Sequence, residues 1–434
     1  MSGGLLIAGG RVVDPARGVD GRLDVLLVDG VVRAVAPDLE RAGSYERVLD
    51  ARGRVVTPGL VDMQVHLREP GREADETIAS GAAAAVRGGI TSVAAMPTTS
   101  PAIEDEAGAE FQVLQGKRAG LARVYPIGAV TQERAGEALA ELEGLSRGGA
   151  VAFSDGEHAL RSAEVLRCAL LYARMLDRPV IVHAEDADLA RGGVMHAGIV
   201  SLTLGLPGKS SASEEVMVAR DIALARLTGA RLHFSHLTTA GSIARVRAAK
   251  RQGLQVTCAV TPHHLALTDE AVRSFDPNVK VNPPLRTAQD VEALVEGIVD
   301  GTVDAICSCH APHSREKKEV EFQHAPNGII GLETLLPISV TKLVHERGLT
   351  VRRLVELLSV GPARILGLPA GTLEPGAPAD VSVLDLETEY AIRDDFRSNS
   401  KNTPFVGWRV RGRAVYTVVG GRVVYDRALE EPQE

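Results

Sequence analysis

Eight short apolar runs recur through the middle of the chain, at 61–66, 92–97, 123–130, 150–154, 180–183, 231–236, 255–261 and 304–309. Helical patterns separate them, among them SGAAAAVRGG, SAEVLRCALLYARMLD and AGSIARVRAAKRQG. Apolar strands alternating with amphipathic helices read as parallel strands covered on both faces. Eight such units are what a closed (β/α)₈ TIM-type barrel requires, and a doubly wound open sheet is the competing architecture. The chain ends have another texture. Residues 1–57 hold LLIAGGRVVD, DVLLVDGVVRAVA and RVLDARGRVVTPG, period-two runs broken by Gly, Asp and Pro. Residues 369–434 repeat that texture with ADVSVLDLE, AVYTVV and GGRVVYD. The expected α/β architecture is therefore a barrel over 58–368 beside a small composite β-sandwich made from 1–57 with 369–434.

Composition removes several function classes. A net charge of −8 over 434 residues, with no basic block or aromatic-interleaved basic stripe, argues against a nucleic-acid partner. No apolar stretch approaches the roughly 18 residues of a membrane span, and the first residues lack the basic region of a signal peptide. Four cysteines, Cys168, Cys258, Cys307 and Cys309, are too few for a disulfide framework in a chain this long. A reduced, cytoplasmic setting is the expectation.

Polar residues collect where the apolar runs end. Gln64 and His66 close the first run, Asp155 follows the fourth, His183 ends the fifth and His236 the sixth, and Cys309 with His310 ends the eighth. The C-terminal ends of parallel barrel strands converge on one mouth, so these side chains can meet across wide sequence separation. Imidazoles and a carboxylate gathered there suit Zn²⁺ or a similar divalent ion.

The motifs make the reading specific. VTPGLVDMQVHLREPG resembles the amidohydrolase-superfamily signature in which an His-x-His pair ends the first strand. VHAEDADLA, SHLTTAG, TPHHLALTDE, VNPPLR, HAPHSREKKEVEF, APNGIIGLET and SKNTPFVG resemble dihydroorotases of the type found in many bacteria, and GTLEPGAPADVSVLD extends the likeness to the C-terminal region. The resemblance implies reversible cyclisation of N-carbamoyl-L-aspartate to L-dihydroorotate in pyrimidine synthesis, by a chain that assembles as a homo-oligomer. It gives Asp155 the place of a carboxylate bridging two metals, His183 and His236 the second metal, and His66 the first. Arg68 and Asn282 match groups that hold the substrate carboxylate. His313, Asn327 and Gly328 match a loop that closes over the ring.

Three positions depart from the pattern. Gln64 stands where the family has the first histidine of His-x-His, and an amide carbonyl is a feeble Zn²⁺ ligand. Cys309 stands where the family has an aspartate that serves as first-site ligand and general base. A thiolate binds Zn²⁺ well but is a poor base once bound. Thr98 stands where an asparagine contacts substrate. One Zn²⁺ at most is therefore expected, held by Asp155, His183 and His236, with impaired activity. The alternative is a catalytically inactive dihydroorotase-like subunit that scaffolds aspartate carbamoyltransferase. A hydantoinase or allantoinase is disfavoured, because those relatives generally bridge their metals with a carboxylated lysine where this chain has Asp155. SREKKEVEFQH (314–324) reads as a solvated, mobile loop near the site.

Overall fold

A computed structural model describes residues 4–41 and 45–430. Each of the eight runs overlaps a strand, two of which begin one or two residues earlier than expected: β1 (Leu60–Val65), β2 (Ile90–Ala95), β3 (Arg123–Gly128), β4 (Ala152–Phe153), β5 (Val180–Val182), β6 (Leu232–Phe234), β7 (Val256–Val260) and β8 (Ala305–Ile306). They lie side by side in chain order, each parallel to the next. The ring closes between β8 and β1 through a parallel bridge from Val65 to His310, where the His66 amide donates to the His310 carbonyl at 2.9 Å. That closure excludes the doubly wound alternative.

Inward-facing side chains fill the barrel. Met63, Ala94, Ile127, Ala152, Ile181, Ala259, Ala305 and Cys307 pack into one buried cluster with Ile365 and Leu366. Filling of this kind makes the interior a core rather than a pore, and leaves the polar strand ends as the mouth. A second, larger cluster lies between strands and helices and includes Val65, Ile90, Val93, Val180, Leu232 and Ile306.

The two chain ends join in one hydrogen-bonded sheet of eight strands. The linking pair is Val55–Pro58 with the first residues of Val381–Ala391, antiparallel with Val381 opposite Pro58. Strand Leu5–Asp14 bends at Gly9 and Gly10, where its register against Val19–Val28 shifts. Its first half then pairs Arg47–Asp50 and its second half Val55–Pro58. Glycine is required there, because Gly9 has φ 74° and a Cβ on Gly10 would come within 2.6 Å of Val56 Cγ2. Ile7, Val25, Leu27, Val56, Val381 and Val418 form a core of this unit's own. Four of its apolar residues, Leu384, Leu386, Ala414 and Tyr425, belong instead to the barrel's core cluster. Polar contacts reinforce the junction: Arg123 pairs with Asp380 at 2.6 and 3.0 Å, and Ser382 donates to the Gly89 carbonyl at 2.6 Å. Among the described residues, no helix is long and apolar enough to cross a membrane.

Candidate active site

The barrel mouth brings the strand-end residues into one buried region, in unequal states. His66 Nδ1 lies 2.5 Å from the Thr98 hydroxyl, so these two predicted site residues are bonded to each other. Burial, then the neighbouring Arg68, holds the His66 imidazole well below the usual histidine range, so it is neutral. The Gln64 carbonyl accepts from the Cys307 thiol at 3.4 Å, which turns its oxygen toward β8. Cys307 and Cys309 are both free thiols. Cys309 sits at φ 50°, an unusual conformation for a side-chain-bearing residue, and is half-buried. Desolvation pushes its thiol up to about 12, with Asp62 and Glu157 adding to the effect. His310 turns away: Nε2 meets the Glu76 carboxylate at 3.1 Å while Nδ1 accepts from the Gly331 amide at 3.1 Å. It is a fully buried pin rather than a mouth residue.

His183 and His236 come together, with ring centroids 5.2 Å apart and planes at 86°. Burial, then His183, keeps His236 well below its usual range and therefore neutral. His183 Nε2 accepts from Asn282 Nδ2 at 3.2 Å, while its Nδ1 is buried without a hydrogen-bond partner. A buried polar atom left without a partner costs about 1–3 kcal/mol, and this nitrogen, which carries the ring hydrogen while Nε2 accepts, calls for an acceptor. Asp155 is committed to the loop after β3. Its Oδ1 accepts from the amides of Val130 (2.8 Å) and Thr131 (3.0 Å), and its Oδ2 from the Thr131 hydroxyl at 2.5 Å. Burial raises the Asp155 carboxyl, against those three donors. Among the described residues, no three His, Cys, Asp or Glu side chains stand close enough together to hold an ion. Two imidazoles side by side suit a divalent metal in residue type, and ligation by His183 requires its Nε2 to give up the bond from Asn282. Asp155 can join them only through lone pairs its present bonds leave over.

Of the residues assigned to substrate, Asn282 contacts His183. Arg68 is buried, at φ 61°, and its Nε donates to the Pro312 carbonyl at 3.3 Å. Burial, then Arg72, lowers it to about 10, so it stays cationic at neutral pH. His313 donates from Nε2 to the Asn327 carbonyl at 2.8 Å, leaving a buried, unpartnered Nδ1, and burial lowers the ring to about 3. Gly328 has φ 138°, and a Cβ there would meet Ala311 Cβ at 2.7 Å. Asn402 was missed by sequence reasoning although SKNTPFVG carried it. It accepts from the His313 amide at 3.1 Å and donates to the Ala311 and Gly328 carbonyls, both at 3.0 Å.

The stretch 314–324 is anchored rather than freely solvated. Lys318 is buried and donates to the Pro277 and Pro326 carbonyls, both at 2.9 Å, and Phe322 is buried. Lys317 meets both Asp75 oxygens at 2.8 and 2.9 Å. His264 is structural, with its nitrogens 2.7 Å from the Thr261 hydroxyl and 2.9 Å from the Pro283 carbonyl. Glu76 was also missed. It is a fully buried carboxylate that receives His310, the Asn399 amide at 3.1 Å and the Ser398 hydroxyl. Nothing in the spacing around it signals that role.

Comparison with known proteins agrees with this architecture. Residues 53–242 match the family described as Dihydro-orotase-like. The chain is 53% identical over 430 residues to a protein of Anaeromyxobacter dehalogenans (strain 2CP-C) named Dihydroorotase, covering 98% of this chain and 99% of that one. It is 50% identical over 422 residues to the Dihydroorotase of Geobacter sp. (strain M21), covering 97% and 99%. Among solved structures, the L-hydantoinase (dihydropyrimidinase) of Arthrobacter aurescens superposes with a TM-score of 0.86 at 28% identity, covering 98% of this chain and 96% of that one. With half its residues shared over nearly full length, the chain belongs to the dihydroorotase family of amidohydrolase barrels.

Proposed function

We propose that the protein catalyses the reversible cyclisation of N-carbamoyl-L-aspartate to L-dihydroorotate, slowly, with one Zn²⁺ at His183, His236 and Asp155. The observation that carries this reading is the buried imidazole pair at the ends of β5 and β6, His183 beside a neutral His236. An ion held there would supply an activated water and polarise the amide carbonyl. The rest falls to the chain. Arg68 stays charged in a buried setting and offers a planar fork suited to a carboxylate. His313, pinned through Nε2, presents an acceptor nitrogen to a ring N–H. Asn402 holds 311–313 and 327–328 together as one wall.

Activity is impaired at three residues. Cys309 keeps its proton at neutral pH, so it cannot take one from water or return it to nitrogen. Loss of a positioned base costs on the order of 10²–10⁴ in rate. Gln64 offers its oxygen to Cys307 and is a weak ligand in any case, so the first metal site is empty or poorly filled. Thr98 is spent on His66, and costs roughly 1–3 kcal/mol where substrate loses a partner. We assign the catalytic unit to 58–368 and the outer unit to 1–57 with 369–434, from which Asn402 reaches back to the mouth. The setting we propose is cytoplasmic and the chain homo-oligomeric.

The second reading is an inactive scaffold for aspartate carbamoyltransferase. It is favoured by the protonated Cys309 and by the lack of a three-ligand group among the described residues. Assay of the purified protein with dihydroorotate and Zn²⁺, against a His183→Ala control, separates the two. A rate well above the control is expected. Equal rates would remove the enzyme and leave the scaffold.

A further inference from the structure

The group nearest His183 is a small closed network. Lys209 lies in the two-stranded insert formed by Met195–His196 and Gly208–Lys209, between β5 and β6. Arg286 fixes that insert, reaching the Lys209 carbonyl at 3.3 Å and His196 Nδ1 at 3.2 Å. The Lys209 ammonium donates to Glu185 Oε2 at 2.9 Å and to Asn282 Oδ1 at 2.7 Å. Asn282 Nδ2 in turn faces Glu185 Oε1 at 3.3 Å and His183 Nε2 at 3.2 Å. The Lys209 and Glu185 side chains are only 12% and 17% exposed, so water competes weakly for these bonds.

Counting donors changes the assignment of the substrate partner. An asparagine amide has two hydrogens; one faces Glu185 and the other His183, so at most one is left for substrate once His183 gives its lone pair to an ion. An ammonium has three, and two are spent. We propose that Lys209 is a specificity-determining residue, giving its third hydrogen to the substrate carboxylate beside Asn282. This inference rests on the cyclisation reading above. Glu185 holds the ammonium in place, and Asn282 aims it. A second cation, apart from Arg68, then selects cyclic amides that carry a carboxylate over those that do not. Charge-assisted bonds of this kind are about twice as strong as neutral ones, and their loss registers in binding.

The test is calorimetric binding and steady-state kinetics with L-dihydroorotate, and with dihydrouracil as the analogue lacking the carboxylate, on the zinc-loaded protein and its variants. Lys209→Met is expected to weaken dihydroorotate binding and raise its KM about tenfold or more, with kcat changed less than about threefold. Dihydrouracil binding should not change, and Lys209→Arg should recover most of the loss. If Lys209→Met does not fold, Lys209→Gln removes the charge at similar length and carries the same expectation. Unchanged dihydroorotate affinity in a folded charge-removed variant overturns the role of Lys209 while leaving the cyclisation reading intact. Wild-type protein that neither binds nor turns over dihydroorotate removes both.

Discussion

Cys309 and Gln64 share one consequence, the loss of donors at the first metal position. Cys309 is held protonated by burial, and Gln64 is engaged by Cys307. The double variant Gln64→His with Cys309→Asp restores an imidazole and a carboxylate. Metal content should then rise from about one to about two ions per chain, and turnover by on the order of 10²-fold or more. Unchanged metal content and rate would show that these two positions disable nothing. Gly328 makes a separate point about backbone. Its φ of 138° belongs to glycine, and Ala311 and His313 crowd the space a Cβ needs. Gly328→Ala should cost about 2–4 kcal/mol in denaturant unfolding, combining overpacking with strain. A loss below about 0.5 kcal/mol would show that the turn adapts freely.

The segment from 314 to 328 shows how an element can be polar in sequence and still docked. Lys318 threads its ammonium between two backbone carbonyls, and burial, then nearby Lys280, lowers it to about 7. Between about pH 7 and the unfolded value near 10.5, the unfolded chain binds the extra proton. Stability contributed through Lys318 therefore rises with pH in that window, by up to about 1.4 kcal/mol per pH unit. Lys318→Met should flatten that slope in urea titrations from pH 7 to 9.5, and an unaltered slope would assign it elsewhere. In the sequence this stretch looked solvated because five of its eleven residues, Arg315, Glu316, Lys317, Lys318 and Glu319, form one charged block. Composition does not reveal that two of those stems are tied down. The eight barrel strands were legible for the opposite reason. Parallel strands covered on both faces leave continuous apolar runs, even where β4 and β8 shrink to two residues each. The roles of Asn402 and of the buried Glu76 were not legible in local pattern. Their partners lie far away in the chain, and no local periodicity connects a loop to such a partner.

The barrel and the outer sheet share a core. Leu384 and Ala414 pack within 3.3–3.4 Å of where a Cβ on Gly89 would stand, and both belong to the barrel cluster. Unfolding should therefore be one cooperative calorimetric transition. Leu384→Ala should lower it intact, at a cost of about 2–5 kcal/mol, and two separated transitions would contradict a shared core. The convergence of strand ends followed from chain order alone, because a closed parallel barrel has one C-terminal face. How tightly the ligand set closes did not follow, since Asp155 depends on Val130 and Thr131, which carried no motif. The proposed chemistry depends throughout on a divalent ion held by His183 and His236 with Asp155. Its most direct measurement is zinc content by mass spectrometry after equilibration, for wild type, His183→Ala, His236→Ala and Gln64→Ala. About one ion per chain is expected in wild type and Gln64→Ala, and almost none in either histidine variant. A wild type without zinc, or histidine variants that retain it, would contradict that dependence.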